Sequence, residues 1–130
     1  MNTSSRGFTV IEIIFVAVLF GLASVIFFVQ KNNIETAARD TERKTAINAM
    51  YYGLEEVYFK ANNSYPRTLT KETLPSVDPD LFTDPSGVTI GDGKSSYRYE
   101  GTNCEADACK SYTLRTTLES EADFIKKNRS

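Results

Sequence analysis

FTVIEIIFVAVLFGLASVIFFV, residues 8–29, is a run of 22 residues in which only Thr9, Glu12 and Ser24 are polar. At about 1.5 Å per residue, an α-helix of this length is roughly 33 Å long, which is enough to cross the hydrocarbon core of a bilayer. After Gln30 the composition changes abruptly to charged and polar residues. In a chain of 130 residues, this pattern predicts one membrane-spanning helix followed by one small domain outside the membrane.

A second helical pattern follows the apolar run. Between Lys44 and Asn62 the apolar residues recur at i, i+3, i+4 and i+7, which is typical of a helix with one buried stripe. The stripe consists of Ile47, Met50, Tyr51, Leu54, Val57, Tyr58 and Ala61. Residues 30–43 between the two patterns are polar and contain neither Pro nor Gly. We therefore predict one helix from about Phe8 to about Asn62, with two helices and a hinge near 31–33 as the alternative.

The helix is predicted to end at Asn62-Asn63-Ser64-Tyr65-Pro66, because turn-forming residues there precede an X-Pro step. Residues 67–87 read as a loop whose scattered apolar side chains plug the underside of the domain. These are Leu69, Leu74, Val77, Leu81 and Phe82. The segments 78–80 (DPD) and 84–87 (DPSG) are typical of turns.

Short alternating segments at 88–90, 96–100 and 111–119 predict a small antiparallel sheet. We expect Tyr97 and Tyr99 to share one face of their strand, and four residues of the last strand to share another. Those four are Tyr112, Leu114, Thr116 and Leu118. These faces would cover the amphipathic half of the helix, which gives an α+β fold. The tail, 121–130, reads either as a frayed end or as a final helical turn.

Cys104 and Cys109 are the only cysteines, and they flank four residues between the last two predicted strands. We predict that they form a structural disulfide, which would contribute about 2 kcal/mol by closing a short loop. An exported domain is where such a pair can oxidise. A zinc site is the rival, but the chain has no further cysteine and no histidine to complete it.

The composition argues against several classes of function. Without histidine, Ser-His-Asp and Cys-His catalysis are excluded, and no Gly-rich phosphate loop is present. Glu55 and Glu56 are predicted to lie on the solvated side of the helix and not in a catalytic site. For these reasons together, we predict that the protein is not an enzyme and has no cofactor. Residues 64–119 hold six Lys/Arg against nine Asp/Glu, which makes nucleic acid an unlikely direct ligand.

Glu12 is the unusual residue of the apolar run, because a carboxylate at mid-bilayer costs on the order of 2.5–3.5 kcal/mol. It could reach the interface and be favoured by the positive end of the helix dipole. Alternatively, cleavage after Gly7 would give Phe8 a free α-amine at the depth of Glu12 on a shifted neighbouring copy. Pairing of the two charges would then fix the axial stagger between copies.

The leader MNTSSRG followed by FTVIEIIFVAVLFGLASVIFF resembles the N-terminal signature of type IV pilins and of type II secretion pseudopilins. The matching residues are Gly7, Phe8, Thr9, Glu12 and Gly21. The resemblance implies that a prepilin peptidase cuts between Gly7 and Phe8 and methylates Phe8, which leaves 123 residues.

The same resemblance implies how the protein is used. The precursor is a single-pass protein of the cytoplasmic membrane with its N-terminus inside. An assembly platform with its ATPase then adds it to an extracellular helical filament of copies of itself or related pilins. The filament would serve motility, adhesion or DNA uptake. The resemblance divides the chain into a leader (1–7), a membrane or filament-core helix (8–29), its continuation (30–62) and a loop-and-sheet region (63–130).

The chain departs from many members of the family, which have a proline about where Val29 stands, so Gly21 and Ser24 remain as the softer points of the helix. Secretion pseudopilins carry calcium in the loop region. Asp78, Asp80 and Asp84 are weak candidates for such a site, and turn chemistry is the favoured interpretation.

Three alternatives stay open at this point. The chain could be a pseudopilin of a secretion system, or a single-pass anchored extracytoplasmic binding domain. It could also carry an ordinary signal peptide cleaved near 21–23, where the small residues Gly21 and Ala23 lie.

Overall fold

The N-terminal half of the protein is one long helix. The structure is a computed structural model and describes residues 7–129, so residues 1–6 of the predicted leader (1–7) lie outside the described residues. Helix α1 covers Val10–Tyr52 and passes through 31–33 without a break, so the two-helix alternative was wrong. A π-helical segment, Gly53–Tyr58, and a short helix α2, Phe59–Asn62, follow without a gap.

The helix ends where the sequence predicts. Asn63 adopts a left-handed conformation with φ 52°, and its N–H donates to the Phe59 carbonyl at 2.7 Å. Asparagine tolerates this conformation better than most residues other than glycine. By its contacts the chain divides between Glu35 and Thr36 into two compact units, of which the second holds the globular core.

The π-helical segment changes which residues face the core. The Phe59 N–H donates to the Leu54 carbonyl five residues back, so this turn is wider by one residue than an α-helical turn. The predicted stripe is confirmed up to Leu54, but Val57 is 50% exposed and Ala61 is also exposed. Tyr58, also predicted in the stripe, packs against the core, and so does Phe59, which was not predicted there.

The loop after the helix packs as predicted. Leu69, Leu74, Val77 and Phe82 are buried, and Leu81 is partly buried. Gly53 permits this packing, because a Cβ there would lie 2.8 Å from Val77 Cγ2 and 3.0 Å from Leu74 Cδ2. A short 3₁₀ helix, Pro79–Phe82, occupies the first predicted turn.

The sheet has four antiparallel strands, and their bounds differ from the prediction. They are β1 Tyr65–Pro66, β2 Tyr97–Glu105, β3 Ala108–Thr116 and β4 Phe124–Lys127. Strand β3 is central, with β2 on one side and β1 and β4 on the other. The predicted strand at 88–90 is only a single bridge between Thr83 and Thr89. The tail is neither frayed nor helical over 124–127, since β4 pairs with β3 there.

The disulfide prediction is confirmed. Cys104 and Cys109 are bonded, but they lie opposite each other within β2 and β3 and not in a longer connection. Only Ala106 and Asp107 form the turn, and Ala106 has φ 54°. Gly101 leaves room for the bond, because a Cβ at this position would lie 2.7 Å from Cys109 Sγ.

The core joins the helix, the loop and the sheet, which confirms the α+β fold. The helix contributes Ala46, Ile47, Met50 and Leu54, and the sheet contributes Tyr65, Tyr97, Cys109, Tyr112 and Leu114. Tyr97 lies opposite Thr116, and Tyr99 opposite Leu114, so these residues share the face that meets the helix, as expected.

Candidate functional site

The main candidate site is the apolar surface of the N-terminal helix. All sixteen large hydrophobic residues between Phe8 and Val29 are exposed, from 45% at Val16 to 81% at Phe8. Soluble monomers rarely expose continuous apolar patches of more than a few hundred Å², and larger patches mark membrane or protein contacts. This helix is also the one candidate membrane span among the described residues, by length and composition.

Glu12 is held at the start of this helix by Thr9. The Thr9 N–H donates to Glu12 Oε2 at 2.8 Å, and the Thr9 hydroxyl donates to the same oxygen at 3.0 Å. In return the Glu12 N–H donates to Thr9 Oγ1 at 3.3 Å. This is a capping box, which satisfies N–H groups that a helix start leaves without partners. The pattern Thr-x-x-Glu was readable in the sequence, but the sequence analysis missed it.

Phe8 and Glu12 lie next to each other at this end of the chain, since both line the same shallow depression together with Ile13 and Val16. Gly7 precedes them outside the helix. Gly21 lies in the continuous part of α1, and no atom lies within 4 Å of the place where a Cβ would stand. Space is therefore available around Gly21 for close approach by another helix.

Glu55 is buried, so its assignment to the solvated side of the helix was wrong. Its side chain is only 6% exposed. Its carboxylate accepts hydrogen bonds from the Tyr112 hydroxyl at 2.8 Å, the Tyr65 hydroxyl at 3.1 Å and the Arg129 N–H at 3.2 Å. Burial, together with this carboxylate, raises the pKa of Tyr112 well above its ordinary value. The wide turn at Gly53–Tyr58 carries Glu55 inward, which α-helical periodicity does not predict.

The C-terminal end of the described chain is attached to the same part of the helix. The Arg129 guanidinium donates to the Tyr51 hydroxyl at 3.0 Å and forms an ion pair with Glu56. It also lies 5.3 Å from the centre of the Tyr51 ring and 5.8 Å from that of Tyr52. Hydrogen bonds from Lys60 and Arg129 lower the pKa of Glu56, which is exposed as predicted.

A second buried carboxylate, Asp40, ties helix α1 to residues 119–120. It accepts the Glu119 N–H at 2.9 Å and the Ser120 N–H and hydroxyl at 2.9 and 2.6 Å, and it pairs with Arg43 at 2.9 Å. Burial alone would raise the pKa of Asp40, but these hydrogen bonds outweigh it and hold the pKa well below its ordinary value. Hydrogen bonds from Arg39 and then Arg43 lower the pKa of Glu119 to about 2.

Two of the three aspartates proposed as weak calcium ligands, Asp78 and Asp84, accept hydrogen bonds within the turns. Asp84 accepts N–H groups of Ser86, Val88 and Ser96 at 2.9, 3.0 and 2.7 Å, and Asp78 accepts the Asp80 N–H at 3.0 Å. These contacts confirm the favoured turn interpretation. Within residues 7–129, no group of three or more Asp, Glu, Cys or His side chains could hold a metal ion.

Comparison of the chain with protein-family models, with curated proteins and with solved structures finds no match. The family resemblance therefore depends on the residues at 1–29 and on the α+β architecture.

Proposed function

We propose that this protein is a pilin: a structural subunit of a type IV pilus-like filament that is made as a membrane-anchored precursor. In this proposal, cleavage after Gly7 and methylation of Phe8 release a subunit that an assembly platform and its ATPase add to an extracellular filament. The observation that carries the proposal is the exposed apolar surface of residues 8–29, with Glu12 beside Phe8 at its start.

The apolar helix supports this function because it can be covered in two successive environments. Lipid covers it in the precursor, and the same helix of neighbouring copies covers it in a filament. A helix that is apolar on all sides is stable only when it is covered on all sides. Both environments keep this surface out of water, so close packing between helices, and not further hydrophobic burial, compensates for leaving the lipid.

Glu12 gives the assembly its register in this proposal. Its carboxylate is satisfied by Thr9 in the uncut chain. Cleavage would place a positive α-amine on Phe8, and a buried acid and amine stabilise one stagger far better than any other.

Two measurements on the native protein test the proposal. Intact mass of material purified from membranes is expected to match a 123-residue chain with an N-methylated Phe8, and an uncut mass would point to a plain membrane anchor. Negative-stain microscopy of sheared cell surfaces is expected to show filaments that disappear when the gene is deleted. Short periplasmic assemblies in place of surface filaments would favour the pseudopilin alternative.

The register role is tested by Glu12→Leu. We expect this variant to insert and to be cleaved, and its yield in filaments to fall at least tenfold. Glu35→Leu is the matched control, because Glu35 is an exposed acid of the same helix whose partner is Lys31 at 3.8 Å. Filament yield of the Glu12→Leu variant equal to that of the control would remove the register role.

A further inference from the structure

Within the second unit, residues 36–129 expose few large apolar side chains. Among the described residues of this unit, those that are about half exposed are Tyr52, Val57 and Ile125. They form two separate patches, because the first two lie on the helix and Ile125 lies on β4. Single exposed apolar residues are common. Here, however, an acidic residue lies beside the first patch and basic residues lie beside the second.

The first patch, the helix groove, is an open depression of about 320 Å³ next to the π-helical segment. Tyr52 and Val57 form its helical wall, and Val77 and Leu81 form its loop wall. Asp78 lines its edge and is exposed. The groove exists because the wide helical turn leaves Val57 outside the core.

The second patch, the basic sheet face, is the side of the sheet that points away from the helix. Arg115 lies opposite Ile125 in the β3–β4 pair and opposite Arg98 in the β2–β3 pair. Lys127 shares this face with Ile125 because alternate residues of a strand point the same way. Glu100 lies on the same face, opposite Thr113, and carries a negative charge beside the positive charges of Arg98, Arg115 and Lys127.

The basic sheet face brings like charges together across two strands. Like charges directly opposite each other across two strands are destabilising, and Arg98 faces Arg115 in this way. Arg98 donates to the carbonyls of Asp92 and Gly93, which fixes the guanidinium but leaves its charge unpaired by an acid there. A partner with an acidic rim and an apolar centre would relieve both the repulsion and the exposure of Ile125.

We propose that the basic sheet face of one copy docks into the helix groove of a second copy of this chain, with Ile125 against Tyr52 and Val57 and with Lys127 near Asp78. The inference rests on the proposed function, which supplies the second copy. Ile125 supplies an apolar centre for the groove, and Lys127 carries a charge opposite to that of Asp78, whereas Glu56, which also lines the groove, is already paired with Lys60 and Arg129. The two patches are different surfaces, so the contact is heterologous and repeats from copy to copy, which is what an open helical filament requires.

Cross-linking in assembled filaments tests this contact. The full chain is expressed as Val57→Cys, as Ile125→Cys and as the double variant, and sheared filaments are treated with a short bismaleimide. The native cysteines are bonded to each other and do not react. We expect a ladder of dimers, trimers and higher species from the double variant only, and no ladder from Val57→Cys with Lys94→Cys, which pairs the groove with an exposed lysine site outside both patches.

The outcomes separate this inference from the proposed function. Filaments that form normally but give no ladder overturn the inference alone, and so do dimers from Val57→Cys by itself, which would show a two-fold contact. Absence of filaments from the wild-type chain overturns the proposed function and the inference with it.

A second variant keeps the test independent of cysteine chemistry. We expect Lys127→Glu to lower filament yield at least fivefold, whereas Lys94→Glu leaves it unchanged. Equal yields from the two charge reversals would contradict the proposed contact.

Discussion

Replacing Glu55 by leucine is the sharpest test of the globular core. The carboxylate accepts the hydroxyls of Tyr65 and Tyr112, which are 0% and 1% exposed, so neither can turn to water when the acceptor is removed. A buried donor left without a partner costs about 1–3 kcal/mol, and the Tyr112 hydroxyl becomes such a donor in this variant. Release of the carboxylate from its buried site offsets part of this cost. We expect the free energy of unfolding to fall by about 2 kcal/mol.

The assay is thermal unfolding of the full chain in detergent, followed by near-ultraviolet circular dichroism of the packed tyrosines. For a domain of this size, a loss of about 2 kcal/mol lowers the Tm by roughly 8–16 °C. Glu56→Leu is the control, because Glu56 is the exposed neighbour and its ion pairs at the surface contribute little to stability.

A triple variant makes the reasoning refutable. Removing both partners of a buried hydrogen bond is nearly neutral, so Tyr65→Phe and Tyr112→Phe added to Glu55→Leu are expected to restore more than half of the lost stability. The explanation fails if the single variant unfolds at the wild-type temperature. It also fails if the triple variant is no more stable than the single one.

Three further predictions concern the rest of the domain. The pKa values of Asp40 and Glu119 are depressed in the folded state, so their contribution to the free energy of unfolding is complete above pH 4.5 and declines as the pH falls towards about 2. Urea unfolding across this pH range is expected to show this decline, and the Asp40→Asn variant is expected to show a smaller decline. Replacing Cys104 and Cys109 by alanine is expected to lower the free energy of unfolding by about 2 kcal/mol in urea titrations, and an unchanged midpoint would contradict the assigned role of the disulfide. Asn63→Ala is expected to lower the free energy of unfolding by about 1 kcal/mol, and Asn63→Gly to lower it much less, since glycine adopts positive φ freely. Equal losses of stability in thermal unfolding of the two variants would argue against the helix-end assignment.

The helix and its end were predictable because their signals are local. Apolar periodicity located the buried residues as far as Leu54, and the turn residues before Pro66 located the end. The π-helical segment was not predictable, because a periodicity of 3.6 residues has no place for an extra residue in one turn. That single residue accounts for both the exposure of Val57 and the burial of Glu55.

The sheet was predictable in kind but not in extent. Alternation located the hairpin, but the pairing of β3 with Phe124–Lys127 depends on contacts between distant parts of the chain. The network of Asp40 joins residues 80 positions apart, and no local pattern indicates it. By contrast, the link between Thr9 and Glu12 is local and follows a known spacing, so it could have been identified from the sequence.

The wide turn at Gly53–Tyr58 has a consequence for how this chain can change in length. In a regular α-helix, loss of one residue rotates everything that follows by about 100°, because 3.6 residues make one turn. Here, loss of one residue would convert the turn to regular α-helix and leave Phe59–Asn62 in phase with α1. A related chain that has lost one residue in this turn would therefore keep its helix aligned with the sheet. It would no longer direct the carboxylate of Glu55 inward.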